Sequence, residues 1–251
     1  MTKADIQFVR SLADKRARTE HGLFVAEGEK LISELLASPM RVRRIYSLAG
    51  VFDTRNDCVE TVSEREMERI SQLKTPNNSL AVVEIPTHSL RSVDAAHSLV
   101  LALDRVQNPG NLGTIMRLAD WFGITDIVCS EDCADCFNPK VVQATMGAII
   151  RVNVHYTDLA AWLDGENRSG TPIYGTFLDG DNIYSTDLST CGVIVMGNEG
   201  RGIGDECAAS VSRRLFIPPY PADRRGSESL NVAIATAVIC AEFRRRNGSK
   251  R

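Results

Sequence analysis

From residue 98 to residue 246 the sequence keeps returning to one pattern: a short apolar run, a polar turn, then residues at helical spacing. Ser98 to Leu103 reads SLVLAL, and Asp126 to Cys129, Ile173 to Phe177, Gly192 to Met196 and Leu215 to Ile217 are further strand-like runs. Leu112 to Phe122, Pro139 to Ile149 and Ser229 to Arg246 read as helices between and after them. Strands that are apolar on both faces and separated by helices predict a parallel sheet covered on both sides. In such α/β sheets ligands sit beyond the carboxyl ends of the strands. The polar, Gly- or Pro-bearing segments at those ends are therefore where chemistry is expected.

The first ninety residues are organised differently. Glu27 to Ala37 reads as a helix, with Leu31, Ile32, Leu35 and Leu36 on one stripe. Arg43 to Leu48 and Cys58 to Val62 read as strands. Ser63 with Glu66 three residues on gives a capping-box start to a helix ending near Leu73. After the strand-like Leu80 to Ile85 comes a polar stretch, Pro86 to Ser92, the best boundary in the chain. Two domains are expected, residues 1–90 as a small α/β domain and residues 96–251 as the larger one.

Charge narrows the partners. The net charge is −3, so the chain is not a globally basic binder of nucleic acid. Residues 1–90 hold 13 basic and 13 acidic residues, the remainder 16 and 19. Basic residues nonetheless cluster at Lys15 to Arg18, Arg41 to Arg44, Arg213-Arg214, Arg224-Arg225 and Arg244 to Arg246, either as solvated helix ends or as phosphate-binding patches. No apolar run approaches the roughly 18 residues of a membrane span. Met1 to Asp5 carries an acid and no apolar core of a leader. Seven cysteines, an odd count, fit reduced thiols in the cytoplasm better than a disulfide framework.

Three segments carry the chemical information. Leu103 to Arg117 leaves a strand, turns at Asn108-Pro109-Gly110 and enters a helix. Asn111 stands where an amide side chain can cap the helix or reach a ligand. Arg117 interrupts an apolar run, either as a buried salt-bridge partner or as a phosphate clamp. Val193 to Gly204 runs from a strand into a loop with four glycines, and Glu199 in the middle of the loop is its strongly polar candidate. The order G-x-x-G-x-G-x-G is not the dinucleotide fingerprint, and no Gly-Lys-Ser/Thr of a Walker loop is present. Ile217 to Ala233 holds three prolines, then Ser229 as the expected cap of the long last helix, with Asn231 in its first turn.

Taken in order, N-P-G-N-L-G-x-x-x-R, V-M-G-N-E-G-x-G and I-P…S-L-N-V-A resemble the SpoU (TrmH-like) RNA ribose 2′-O-methyltransferases of the SPOUT class, over residues 96–246. The run from Lys15 to Lys30 also resembles the substrate-binding domain that precedes this domain in members acting on ribosomal RNA, a small domain similar to RNA-binding ribosomal proteins. The resemblance implies a parallel sheet ending in a deep trefoil knot, which pattern reasoning alone excludes. It implies S-adenosylmethionine as methyl donor, held by backbone groups at Met196, Gly197, Ile217 and Leu230. Asn111, Arg117, Glu199, Ser229 and Asn231 match the family's catalytic positions. A homodimer, an RNA substrate (ribosomal rather than transfer RNA) and no metal are further implications. One departure is visible: Pro219 to Glu228, around Asp223 and Arg224, is a few residues longer than in many members.

Methylation of a ribose hydroxyl is an in-line displacement at a sulfonium carbon, and the hydroxyl proton must leave. In the family Arg117's counterpart is proposed as base. A guanidinium stays charged, so orienting a phosphate and stabilising a developing alkoxide is the alternative role. Cys129, Cys133 and Cys136 form C-x3-C-x2-C without the second pair a structural zinc site needs. His21, His88, His97 and His155 form no spaced set and read as surface residues. Two other function classes compete: a relative with a decayed site acting as a non-catalytic ribosome-assembly factor, and a dinucleotide enzyme, which fails on the glycine order.

Overall fold

The computed structural model describes residues 1–221 and 229–247. In chain order its elements are α1 (Lys3–Ser11), α2 (Lys15–His21), β1 (Leu23–Glu27), α3 (Glu29–Leu36), β2 (Val42–Ser47), β3 (Val59–Thr61), α4 (Glu64–Ile70), β4 (Ser79–Glu84), β5 (Leu99–Leu103), α5 (Pro109–Trp121), β6 (Asp126–Ser130), α6 (Pro139–Thr145), β7 (Asn153–Thr157), α7 (Leu159–Arg168), β8 (Ile173–Asn182), β9 (Gly192–Met196), α8 (Asp205–Ala208), β10 (Arg213–Phe216) and α9 (Val232–Asn247). They form two compact units, Met1–Thr87 with Asp135–Ile150, and His88–Ala134 with Arg151–Arg251.

The first unit has a four-stranded sheet in the order β1-β4-β2-β3, with β4 antiparallel to both neighbours and β2 parallel to β3. Ile6, Val9, Leu12, Val25, Met67, Ile70 and Leu80 fill its core. The capping box forms as the sequence predicts: Ser63 Oγ accepts from the Glu66 amide, and Glu66 Oε2 accepts from the Ser63 amide at 2.9 Å. Glu27, expected to open a helix, instead ends β1, because its carboxylate is drawn inward to the Ser71 hydroxyl (2.7 Å) and the Gln72 amide (2.8 Å). The segment Asp135–Ile150 belongs to this unit although it lies beyond residue 96 in sequence. Phe137 packs on Phe24 with ring centroids 4.9 Å apart. Arg18, only 2% exposed, donates to Asp135 and to the Leu12 and Ala13 carbonyls. One residue of the Lys15 to Arg18 cluster is thus an internal tie rather than a surface charge. The helix expected to run to Ile149 stops at Thr145, because Met146 takes a left-handed φ of 50°.

The second unit is built on a six-stranded, wholly parallel sheet in the order β10-β8-β9-β5-β6-β7. All residues of β5 and β9 are buried, as their unbroken apolar sequences predict. Truncating Leu101 or Leu103, both fully buried, costs about 2–5 kcal/mol by the usual cavity argument. After β5 the chain proceeds towards β6 and β7. After β9 it proceeds the opposite way, past β8 to β10. The carboxyl ends of β5 and β9 therefore flank a topological switch point, where a parallel sheet opens a crevice.

In this unit one expectation fails and one pair of alternatives narrows. His155 is buried, not on the surface, and its Nε2 lies 2.9 Å from Asp126 Oδ1. The Arg244 to Arg246 cluster is not a free basic patch. Arg244 donates to the Phe122 and Gly123 carbonyls, Arg245 and Arg246 pair with Glu242, and Arg246 also reaches the carbonyls of Ile183, Tyr184 and Thr186. Arg224-Arg225 lie outside the described residues. None of the described helices is long and apolar enough to cross a membrane. All seven cysteines are free thiols, and no group of metal-ligating side chains is found among the described residues.

Candidate active site

The chain leaves β5 at Asp104 and enters α5 at Pro109. Asn108, not Asn111, caps this helix: its Oδ1 accepts from the amides of Gly110 (2.8 Å) and Asn111 (3.2 Å). Pro109 follows at the first helical position, where a missing N–H is harmless. Capping by Asn108 leaves the Asn111 side chain available for other partners.

The loop after β9 is a tight reversal. Asn198 and Gly202 exchange backbone hydrogen bonds of 3.0 and 2.9 Å, and Gly202 supplies the left-handed φ of 68°. Asn198 Oδ1 accepts from the amides of Gly200 and Arg201, and its Nδ2 donates to the Arg105 carbonyl at 2.8 Å. Gly197 has to be glycine, because a Cβ there would fall far inside contact distance of the Gly202 and Ile203 backbone. The requirement comes from the loop's own backbone and not from a positive φ. The outcome is an exposed Glu199 at the tip of a fixed turn.

The third segment meets these two at the start of α9. Asn231, not Ser229, caps that helix, its Oδ1 accepting from the amides of Ala233 (3.0 Å) and Ile234 (3.3 Å). Ser229 lies two residues before the cap and is exposed. Its hydroxyl forms no hydrogen bond among the described residues.

Three of the five sequence-derived catalytic candidates meet in one chain of hydrogen bonds. Asn111 Nδ2 donates to Glu199 Oε1 at 2.5 Å, and Asn231 Nδ2 donates to Asn111 Oδ1 at 3.1 Å. The Asn111 amide is thereby oriented, its nitrogen on the carboxylate and its oxygen on Asn231. Arg117 and Ser229 are not part of this chain. Arg117 lies six residues beyond Asn111, about 9 Å along the axis of α5. It is exposed and forms no ion pair or hydrogen bond among the described residues. That removes the buried salt-bridge reading and leaves a guanidinium able to meet an external anion.

The backbone at the donor positions is informative. Gly197 is buried, yet its amide and carbonyl have no hydrogen-bond partner among the described residues. Buried peptide groups are nearly always paired, so an orphan here suits a bound molecule. Ile217 and Leu230 also have backbone groups without a hydrogen-bond partner among the described residues. Met196 differs, because its carbonyl already accepts the Asp104 amide at 2.9 Å. These groups fit a ligand held by peptide hydrogen bonds, as an adenosine-bearing donor is. Asp223 and Arg224 lie outside the described residues. Sequence reasoning missed Asp104, Arg105 and Asn198, which hold the Glu199 loop. The Asn-x-Gly signature of an Asx turn directly after a strand was the available signal for Asn198.

Comparison with known proteins shows the family of the chain. Residues 98–241 match the SpoU rRNA Methylase family, and residues 3–81 match an MRM3-like substrate binding domain. The chain is 31% identical to the 23S rRNA (guanosine(2553)-2′-O)-methyltransferase RlmP of Bacillus subtilis, covering 94% of each. A solved TrmH-family structure from Porphyromonas gingivalis superposes with a TM-score of 0.88 at 40% identity, covering 98% of this chain and 99% of that one. An AdoMet-bound rRNA methyltransferase from Sinorhizobium meliloti superposes at 0.86 with 29% identity, covering 98% and 96%. The chain belongs to the SpoU rRNA methylase family.

Proposed function

We propose that this protein transfers the methyl group of S-adenosylmethionine to a ribose 2′-hydroxyl of ribosomal RNA. The observation that carries the reading is the hydrogen-bonded chain Glu199–Asn111–Asn231, assembled from three separate segments at the switch point of the parallel sheet. When bound, S-adenosylmethionine supplies an electrophilic methyl on a sulfonium sulfur. Gly197, Ile217 and Leu230 hold it through backbone groups, with Met196 beneath as part of the sheet. Asn111, Glu199 and Asn231 fix the ribose so that its hydroxyl oxygen approaches in line at about 3–3.5 Å. Arg117, unpaired among the described residues, orients the neighbouring phosphate and stabilises negative charge on the hydroxyl oxygen as its proton is released to solvent. The exposed Ser229 hydroxyl is placed to contact the same ribose.

Residues 1–90 serve as the substrate-binding domain and residues 96–251 as the catalytic domain. The last part of the catalytic domain is threaded as a trefoil knot, and the working form is a cytoplasmic homodimer. The dimer is tested by a sedimentation mass of twice 27.6 kDa. For the activity, purified protein, labelled S-adenosylmethionine and ribosomal RNA from cells lacking the gene are combined. Label is expected in a single dinucleotide that resists alkaline hydrolysis, as a 2′-O-methylated linkage does. Label in a base, or none in ribosomal RNA while transfer RNA is methylated, overturns the assignment.

A further inference from the structure

Arg105 stands at the carboxyl end of β5 with φ 55°, a left-handed conformation that a non-glycine residue keeps only where its surroundings impose it. Its backbone amide, its carbonyl and two of its three guanidinium nitrogens are engaged. Its amide donates to Ser130 Oγ at 2.9 Å, and its carbonyl accepts from Asn198 Nδ2 at 2.8 Å. Its Nε and Nη2 both donate to the Asp104 carboxylate at 2.9 Å. Asp104, buried, accepts in addition the Gly204 amide at 2.6 Å. Residues 104 and 105 therefore tie both ends of the Glu199 loop, at Asn198 and at Gly204, to the end of β5. The same connection leads on to Asn111, the partner of Glu199. Nε and Nη2 tie the guanidinium back to Asp104 at the end of the same strand. What Arg105 supplies is a carbonyl aimed at Asn198, and that aim follows from the left-handed backbone.

We propose that Arg105 is a positioning residue for methyl transfer, its left-handed backbone setting the Asn198 turn and through it the Glu199–Asn111 hydrogen bond. This rests on the functional reading given above. The test uses full-length protein carrying Arg105→Gly or Arg105→Val. Both substitutions remove the guanidinium, but only glycine adopts a positive φ freely, so Arg105→Gly should keep kcat within about threefold. Valine disfavours that backbone, and Arg105→Val should lose about 10²-fold in kcat, the penalty of a misplacement near 1 Å. Affinity for S-adenosylmethionine, read by calorimetry, should move far less than kcat, which a general loss of structure would not allow. Crystal structures should show Glu199 on Asn111 in the glycine variant and apart in the valine variant. Where Arg105→Val fails to fold, Asn198→Ala takes its place and should show the same kcat loss. Equal losses in the glycine and valine variants, or full activity in both, overturn the proposal. If the unsubstituted protein binds S-adenosylmethionine but methylates no RNA, the functional reading has failed, and the two crystal structures alone decide the positioning claim.

Discussion

The two ends of α9 are both rich in polar groups, yet they are built on opposite terms. At the carboxyl end Arg244, Arg245 and Arg246 are all engaged, on backbone carbonyls and on Glu242. At the amino end Asn231 caps the helix with its oxygen and lends its nitrogen to Asn111, while Ser229, two residues before it, has no partner among the described residues. Arg117, on α5 which packs against α9, is unpaired as well among the described residues. A charge with its hydrogen bonds satisfied inside the chain serves the architecture. One left open where the sheet's crevice lies is available to a substrate. Sequence clusters alone leave this assignment open: three consecutive arginines fit a solvated helix end or a phosphate patch, and a single arginine in an apolar helix fits a salt bridge or a phosphate clamp.

The comparison breaks most sharply at Arg117. Arg117→Ala should reduce kcat at least about 10²-fold, the low end for removal of one group that stabilises transition-state charge. Thermal stability and S-adenosylmethionine affinity should hold, since the side chain is exposed and forms no hydrogen bond or ion pair among the described residues. Single-turnover methyl transfer checks the first, calorimetry the second. Near-normal turnover removes Arg117 from catalysis.

Gly197→Val comes next. The β-branched group collides with the backbone of Gly202 and Ile203 and forces the Glu199 loop to shift. Overpacking of this kind costs about 1–3 kcal/mol. Melting should therefore fall by several degrees, with S-adenosylmethionine affinity lost at the same time. Unchanged affinity in a folded variant would refute donor binding at this loop.

Removing residues 1–87 tests which basic residues serve RNA. The remaining clusters of the first unit, around Lys15 and Arg41 to Arg44, leave with it, so RNA affinity and its salt slope should both fall. Asp135–Ile150 loses Arg18, Phe24 and the face of β1, so the truncated chain should expose α6 and bind hydrophobic dyes. Substituting Phe137 by a polar residue in the truncation should reduce that dye binding. Undiminished RNA affinity of the truncated chain argues against a substrate-binding role for the first unit.

The fold of the second unit was legible because β5 and β9 are apolar throughout, and burial on both faces leaves one architecture open. Glu199, Asn111 and Asn231 were legible through motif order, since each follows a strand end or opens a helix. Caps were misassigned at Ser229, because serine is a favoured cap and only the backbone shows that the helix starts at Val232. Arg105 and Asp104 carried no local sign of their role, which depends on a loop almost a hundred residues away. The placement of Asp135–Ile150 was equally hidden. It rests on Arg18 and Phe24, long-range partners that no periodicity encodes.

The smallest effects belong to the carboxyl end of α9, and they sharpen the contrast because they should touch stability alone. Arg246→Ala leaves the carbonyls of Ile183, Tyr184 and Thr186 without their donor and frees one side of Glu242. Losing charge-assisted hydrogen bonds of this kind costs about 1.5–3 kcal/mol. In a chain of this size that lowers the melting temperature by roughly 3–10 °C. Methyl transfer per folded molecule should not change. Glu242→Gln should cost less, and its cost should depend on pH. The hydrogen bonds from Arg245 and then Arg246 hold the Glu242 carboxyl at about 2, well below its ordinary 4.5 and against the opposing effect of burial. A carboxylate with a lowered folded-state pKa stabilises fully above its unfolded value and loses that contribution as pH falls towards the folded value. The gap in melting temperature between the unsubstituted protein and Glu242→Gln should therefore be constant from neutral pH to near 4.5, then close between 4.5 and about 2. Calorimetric scans across that range check it. A gap that persists to pH 2, or methyl transfer that falls with stability at neutral pH, would mean that this end of α9 is not the purely structural counterpart of the other.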